Sequence, residues 1–273
     1  MRVKFYGTRG SIPVPEKNYM LFGGNTACLL VTFDNGQKAI LDAGSGMRKL
    51  GEELLVSPLT QKSLPIILSH THWDHIQGFP FFKPAFLESY TLDIYLSNRY
   101  GLERNLRRIF SNQMRFEYFP VDLKKLSACI RFWEPEQESS ITEWGAKVTA
   151  CPLNHPGHSY GYRFEYGGKT LVYCTDVEHG EKIDPRVVAL AHEADLLIHD
   201  AQYTPEELQM HRGWGHSSWL QAVHVAQQAN VERLALFHHD PSHDDNFLLE
   251  QEKQCQALFP NSFFAREGME IDF

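Results

Sequence analysis

At 273 residues the chain can form one large domain or two small ones around a substantial core. Apolar residues at 42% and charged residues at 22% suit a soluble globular protein, and a net charge of −8 argues against a chain whose main task is gripping nucleic acid by its phosphates. The five cysteines (Cys28, Cys129, Cys151, Cys174, Cys255) are scattered without a CxxC pair, no apolar run nears the ~18 residues of a membrane span, and the opening alternation has no signal-peptide core. A reduced, cytoplasmic protein with no membrane partner is expected.

In chain order, residues 3–6 read as a strand running into the turn Gly7-Thr8-Arg9-Gly10-Ser11. Strands at 28–33 and 38–41 flank Asp34-Asn35-Gly36, a hairpin signal because Asn-Gly tolerates positive φ. A helix is expected over 47–55 and a short buried strand over 64–68. The run 79–86, crowded with Phe and Pro, reads as core ahead of a pocket wall, and it could also bury itself in a homodimer. A strand follows at 91–96, then a basic amphipathic helix at 102–110 (Arg104, Arg107, Arg108), read as a solvated face rather than a phosphate site. Strands at 147–150, 160–166, 170–174, 195–198 and 233–237 alternate with helices at 185–192, 217–229 and 244–258. This pattern is that of a layered α/β protein. No linker divides it, so one domain of two similar halves is expected, about 1–145 and 146–273.

The chemistry concentrates in Ser69-His70-Thr71-His72-Trp73-Asp74-His75, directly after the apolar run Leu64-Pro65-Ile66-Ile67-Leu68. Leaving a strand, His70 and His72 converge by the period of two, and a following helical turn would send Asp74 and His75 toward a second point. Imidazole and carboxylate are ligands for zinc, iron or manganese, and the spacing suits two ions side by side. Further candidates close other strands: His155, Asp176 and the pair His238-His239. Strand alternation favours His238, with His239 left open. His70, His72 and His155 would form one site and Asp74, His75 and His238 the other. Asp176 would bridge them, as a carboxylate can and an imidazole cannot.

In this order, His-x-His-x-Asp-His, an isolated His, a post-strand Asp and a last strand-end His resemble the metallo-β-lactamase superfamily over nearly the whole chain. Ser159-Tyr160-Gly161-Tyr162-Arg163 after His155 is similar to the phosphodiesterase branch, which includes tRNase Z and related cyclic-phosphate phosphodiesterases. Ile198-His199-Asp200-Ala201-Gln202-Tyr203 resembles that branch's His-Glu-Ala-Thr motif, and Gly215-His216-Ser217-Ser218 its Gly-His-Ser-Thr motif. The resemblance implies an α/β four-layer αβ/βα sandwich, two mixed sheets with helices on the outer faces, and a site along one edge between the sheets. It also implies that Asp200 and His216 help the leaving oxygen depart.

The expected reaction is hydrolysis of a small phosphodiester by a metal-bound hydroxide on two divalent ions, zinc first, with manganese or iron as alternatives. Asp74 would orient the hydroxide and His216, held by Asp200, would protonate the leaving group. Two departures argue against tRNA 3′-end processing: Asp stands at 200 where the branch has Glu, and no Gly/Pro-rich arm follows the first cluster. A cyclic nucleotide is the first expectation and a large nucleic acid is disfavoured. The alternatives are an RNA-processing nuclease, or a lactone or thioester hydrolase on the same fold; a redox diiron protein and a module with structural metals rank below them. Asp42 reads equally as a partner for a ligand histidine or a turn residue, and His199 is similarly balanced. Thr8, Arg9 and Asn25 could line the mouth or form turns. Trp214 and Trp219 flank His216, where packing is favoured over a base-stacking wall.

Overall fold

The computed structural model describes residues 1–56, 61, 63–98, 105–135 and 145–273. Its first sheet contains β1 (Arg2–Gly7), β2 (Cys28–Thr32), β3 (Lys38–Leu41), β4 (Leu64–Leu68), β5 (Thr91–Leu96) and β6 (Cys129–Trp133). The second contains β7 (Lys147–Leu153), β8 (Ser159–Tyr166), β9 (Lys169–Cys174), β10 (Leu196–Asp200), β11 (Arg233–Phe237) and β12 (Ser262–Phe264). The last strand, β13 (Glu270–Asp272), returns to the first sheet, whose order is β13-β1-β2-β3-β4-β5-β6; the second runs β12-β11-β10-β9-β8-β7. Both sheets are mixed. Strands β3 to β6 run parallel, as do β9 to β12, and the remaining neighbours are antiparallel.

The hairpin expected at Asp34-Asn35-Gly36 is present, with Thr32 opposite Lys38 and Gly36 at φ +81. Among the described residues seven α-helices accompany the strands: α1 (Met47–Val56), α2 (Trp73–Ile76), α3 (Leu106–Gln113), α4 (Pro185–Ala191), α5 (Pro205–Met210), α6 (Trp219–Gln228) and α7 (Asp245–Leu258). Residues 102–104 of the expected basic helix lie outside the described residues. Within α3, Arg107 packs 5.0 Å from the Phe132 ring and donates to the Ile130 carbonyl, which ties it to β6.

Strand alternation divides the second sheet's side chains between two cores. Leu171, Tyr173, Ile198, Ala235 and Phe237 pack with Val3, Phe5 and the rest of the first sheet. Val172, Leu197, Leu234 and Leu236 pack with Val187, Ala222, Val223 and Leu248 of α4, α6 and α7. The result is the expected layered α/β sandwich. Each fully buried ring such as Phe237 contributes about 1.5–3 kcal/mol of transfer free energy, so the two apolar layers fix how the sheets lie against each other. The aromatic run 79–86 forms two 3₁₀ turns with Phe79 and Phe82 fully buried, which makes most of it core. Strands β6, β12 and β13, and helix α5, were not expected from the sequence. Among the described residues no helix is long and apolar enough to cross a membrane.

Candidate metal centre

His70, His155, Asp176, Asp200 and His238 sit at or just beyond a strand end, Asp74 and His75 on the short helix that follows β4, and His216 on the loop between α5 and α6. Three positions after strands turn in the left-handed region: Asp42 after β3 (φ +57), Asp176 after β9 (φ +55) and His238 after β11 (φ +65). Each costs about 1 kcal/mol for a residue with a Cβ, a strain kept where the side chain must be aimed.

Donor atoms of His70, His72 and His155 lie within 4.8 Å of one another, and so do those of Asp74, His75, Asp176 and His238. Asp176 stands between the groups. Its Oδ1 is 3.6 Å from His70 Nε2 and 3.8 Å from His155 Nε2, while its Oδ2 is 3.2 Å from His75 Nε2 and 3.4 Å from His238 Nε2. Asp74 Oδ2 reaches His238 Nε2 at 3.2 Å and accepts the Ser11 amide at 2.8 Å. Short α2 places Asp74 and His75 there, its amide of His75 bonding back to the His72 carbonyl.

Most of these rings are held from behind. Asp42 Oδ2 lies 2.8 Å from His75 Nδ1, the Ser69 hydroxyl 3.0 Å from His70 Nδ1, the Gly215 carbonyl 2.8 Å from His155 Nδ1, and Gln202 Oε1 3.0 Å from His238 Nδ1. Such partners fix the tautomer and leave Nε2 with its lone pair aimed at the cluster. Asp42 is thus a partner of a candidate ligand. Ser69, Gln202, Gly215 and Ser11 were not singled out in the sequence. Gly10 was named only as part of a turn, yet a Cβ on it would fall 2.4 Å from the His238 ring. The signals available were the Gly residues beside each motif and the Gln in Asp200-Ala201-Gln202.

His238 points into the cluster. It does so through its positive φ rather than by continuing the strand alternation, which would carry it toward the layer of Leu234 and Leu236. His239 faces away; its Nε2 donates to the Ala265 carbonyl and its ring stacks on Phe264. His199 also stays outside, its Nδ1 donating to the Asp200 carbonyl and its Nε2 lying 3.1 Å from His179 Nε2.

Asp200 and His216 meet at 2.8 Å, carboxylate Oδ2 to ring Nδ1. Asp200 also accepts the amides of Asp176, Gln202 and Ser217, so the shorter side chain reaches all its partners and is immobilised. Thr8 and Arg9 are buried rather than at the mouth. Arg9 donates to the carbonyls of Gly23, Asp240 and His243, and Asn25 pairs with Glu267, so these residues organise the loops under the site. Trp219 is packed at 6% exposure, as expected, but Trp214 is 62% exposed, its ring meeting His211 edge to face and its amide donating to the His211 carbonyl.

The donor set fits divalent cations. His70 Nε2 is buried with no hydrogen-bond partner among the described residues, and the Nε2 atoms of His75 and His238 face each other at 3.2 Å. Burial and the charge of His75 push His70 down, and burial pushes His155 down, which keeps both as neutral lone-pair donors. Burial works against the charge on Asp74 and Asp176, yet the surrounding imidazoles hold both well below the usual carboxylate range. Burial likewise works against protonation of His75, but Asp176, Asp74 and Asp42 outweigh it and raise His75; a cation would relieve that pull. Burial also opposes the charge on His216, and Asp200 overcomes it, raising His216 to about 9.

Ribonuclease Z of Prochlorococcus marinus (strain NATL1A) is 25% identical to this chain over 331 residues, covering 100% of the chain and 99% of that relative. The human tRNase Z, short form, superposes with a TM-score of 0.69 at 20% identity, covering 100% of this chain and 99% of the other. A diphosphatase from the PhnP family superposes at 0.67 with 19% identity, covering 100% and 98%. Residues 38–239, a span that holds every candidate ligand, match the family model for the beta-lactamase superfamily domain, so the chain belongs to that superfamily.

Proposed function

We propose that this chain, a metal-dependent hydrolase, uses two divalent ions to cleave a small phosphodiester in the cytoplasm, with a cyclic nucleotide as the first candidate and zinc as the first metal. His70, His72 and His155 would hold one ion, Asp74, His75 and His238 the other, and Asp176 would join both. When bound, the ions supply Lewis acidity and lower the pKa of water toward ~7. Asp74, fixed by the Ser11 amide, orients the attacking water with its remaining lone pairs. His216 gives Nδ1–H to Asp200, so its Nε2 carries the proton that passes to the departing oxygen. With its pKa raised to about 9, that proton is present at neutral pH.

The observation that carries the reading is the Asp200–His216 pair beside the seven candidate ligands. A thioester hydrolase, whose thiolate leaves without being protonated, has less need of a dedicated acid than a reaction that expels an alkoxide, and the resemblance of the motifs around Asp200 and His216 to the phosphodiesterase branch favours phosphorus over a lactone carbonyl. The small-substrate preference rests on the acidic charge and on length: the ribonuclease Z alignment runs over 331 positions against 273 residues here, so the relative has segments this chain lacks. The name of that relative supports the second reading, an RNA-processing nuclease. A homodimer belongs to the proposal as well, with Phe81, Phe86 and Leu87 exposed in and beside the aromatic run.

A panel of cyclic nucleotides, base-free cyclic phosphates, an RNA 3′-end substrate and a lactone, each with zinc or manganese added, tests the proposal. Turnover of the small diesters should exceed that of the others. Preferential cleavage of RNA would favour the nuclease reading, and turnover of the lactone alone would overturn both.

A further inference from the structure

We infer that Glu178 is a positioning residue of this site: its carboxylate clamps the loop that carries the acceptor for His155, and so sets the affinity of one of the two ion positions. The inference rests on the two-ion reading above. Glu178 Oε1 accepts the Gly213 amide at 2.8 Å, and Oε2 accepts the amides of Gly213 at 3.0 Å and Gly215 at 2.8 Å. Gly213 and Gly215 adopt φ +86 and +91, a geometry that turns two amides toward one anion. Bonds to an ionised acceptor are roughly twice as strong as neutral ones, which suits a stretch whose residues 212–214 are otherwise exposed.

The clamped loop touches the site at two places. The Gly215 carbonyl accepts Nδ1–H of His155 at 2.8 Å, and a Cβ on Gly215 would lie 2.2 Å from that same nitrogen, so loop and ring cannot shift independently. The next residue is His216, bonded to Asp200. Glu178 is itself anchored: its amide donates to the Asn154 carbonyl at 2.9 Å, and its carbonyl accepts the Asn154 side-chain amide at 3.0 Å. One residue therefore ties together three segments, its backbone joining those after β7 and after β9 and its carboxylate adding the one before α6. His155 is the only candidate ligand of the first group held through this loop, because His70 leans on Ser69. Loosening the loop should weaken the ion at His70, His72 and His155 and spare the ion at Asp74, His75 and His238, whose rings lean on Asp42 and Gln202.

The test is a titration of chelator-stripped full-length protein with zinc ions, competed against a zinc-binding dye. The wild type should take two ions. Glu178→Ala should lower the affinity of one position by about 10–100-fold and leave the other unchanged, the range usual for loss of a ligand's hydrogen-bond partner. Glu178→Gln, whose amide oxygen can still accept from one glycine, should recover part of the loss, and it carries the test if the Ala variant does not fold. Glu181→Ala, exposed on the same segment, should change neither position. Two ions with no split in the variants, an equal fall at both positions, or a Gln variant no better than Ala would overturn the inference alone. A wild type that takes fewer than two ions overturns the two-ion reading and the clamp with it, whatever the substrate panel shows.

Discussion

The Nδ1 atom of His75 lies 2.8 Å from Oδ2 of Asp42, with both side chains fully buried. That oxygen also accepts the Tyr173 hydroxyl at 2.7 Å and the Ser69 hydroxyl at 2.8 Å, and Oδ1 accepts the Ser69 amide at 2.7 Å. A carboxylate oxygen only accepts here, so Nδ1 carries a ring proton and Nε2 is the atom that faces Asp74, Asp176 and His238. Beside those carboxylates Nε2 favours a positive charge, which either a proton or a divalent cation would supply. The candidate site is thus organised from the second sheet (Tyr173) through the first (Asp42) into the cluster.

Asp42→Asn tests this arrangement. The amide offers donors where Ser69, Tyr173 and His75 need an acceptor, so the tautomer of His75 is no longer enforced. Zinc affinity at the position of Asp74, His75 and His238 should fall about 10–100-fold, and Tyr173→Phe should cost less because the carboxylate remains. Chelator competition reads both. Unchanged affinity in Asp42→Asn would show that His75 needs no carboxylate behind it.

His216→Ala should slow diesters with poor alkoxide leaving groups by about 10²–10⁴ and leave activated aryl phosphates much less affected. Because Asp200 raises His216 to about 9, the wild-type rate on poor leaving groups should hold through neutral pH and fall as the acid form is lost above that value. Asp200→Asn removes the carboxylate charge, and the limb should move down toward the ordinary imidazole value of ~6.5. Equal losses on both substrate classes, or a limb that stays in place, would remove His216 from the acid role.

Much of this was legible because it is local. The run 70–75 follows an apolar strand, and the hairpin at Asp34-Asn35-Gly36 announces itself, so fold class and the gathering of histidines followed from patterns within a few residues. Of the partners behind the rings only Asp42 was weighed in the sequence, since Gln202 meets His238 only once β10 and β11 pair, and Asp42 meets Tyr173 only after the two sheets pack. His238 was favoured for a reason the structure replaces: a left-handed residue, not strand alternation, aims it. Edge strand β6 escaped notice because its burial alternates only between exposed and half-buried, with Arg131 in its middle. Helix α5 was missed despite a Thr204-Pro205-Glu206-Glu207 start that forms a full capping box.

Gly10→Ala probes the close approach beneath His238. The added methyl would stand 2.4 Å from Cε1 and Nδ1 of that ring, against a side chain already tied to Gln202. Overpacking of this kind costs about 1–3 kcal/mol, and here the ring must yield. The zinc-dependent rise in Tm should therefore shrink more than the Tm of the chelated protein falls. A variant whose zinc response matches the wild type would mean that the loop, not His238, absorbs the methyl.

Acid stability depends on a pair far from the cluster. Asp93 of β5 is buried, and its two oxygens accept Arg131 Nε and Nη2 at 2.6 Å each, with Trp133 Nε1 at 2.9 Å. Burial alone would raise the carboxyl, but the Arg131 and Trp133 bonds outweigh it and lower it. A depressed carboxyl stabilises the fold above its unfolded pKa of ~3.9, and that contribution drains away as pH falls through the folded value. Arg131 is about half exposed, which discounts the pair, so Arg131→Met should cost about 1–3 kcal/mol at pH 7, chiefly by leaving Asp93 buried without its partner. The gap between wild type and variant in urea midpoint should close toward pH 3, where Asp93 is neutral in both the variant and the unfolded chains. A gap that stays constant from pH 7 to pH 3 would assign the loss to packing of the Arg131 stem over Trp133 instead.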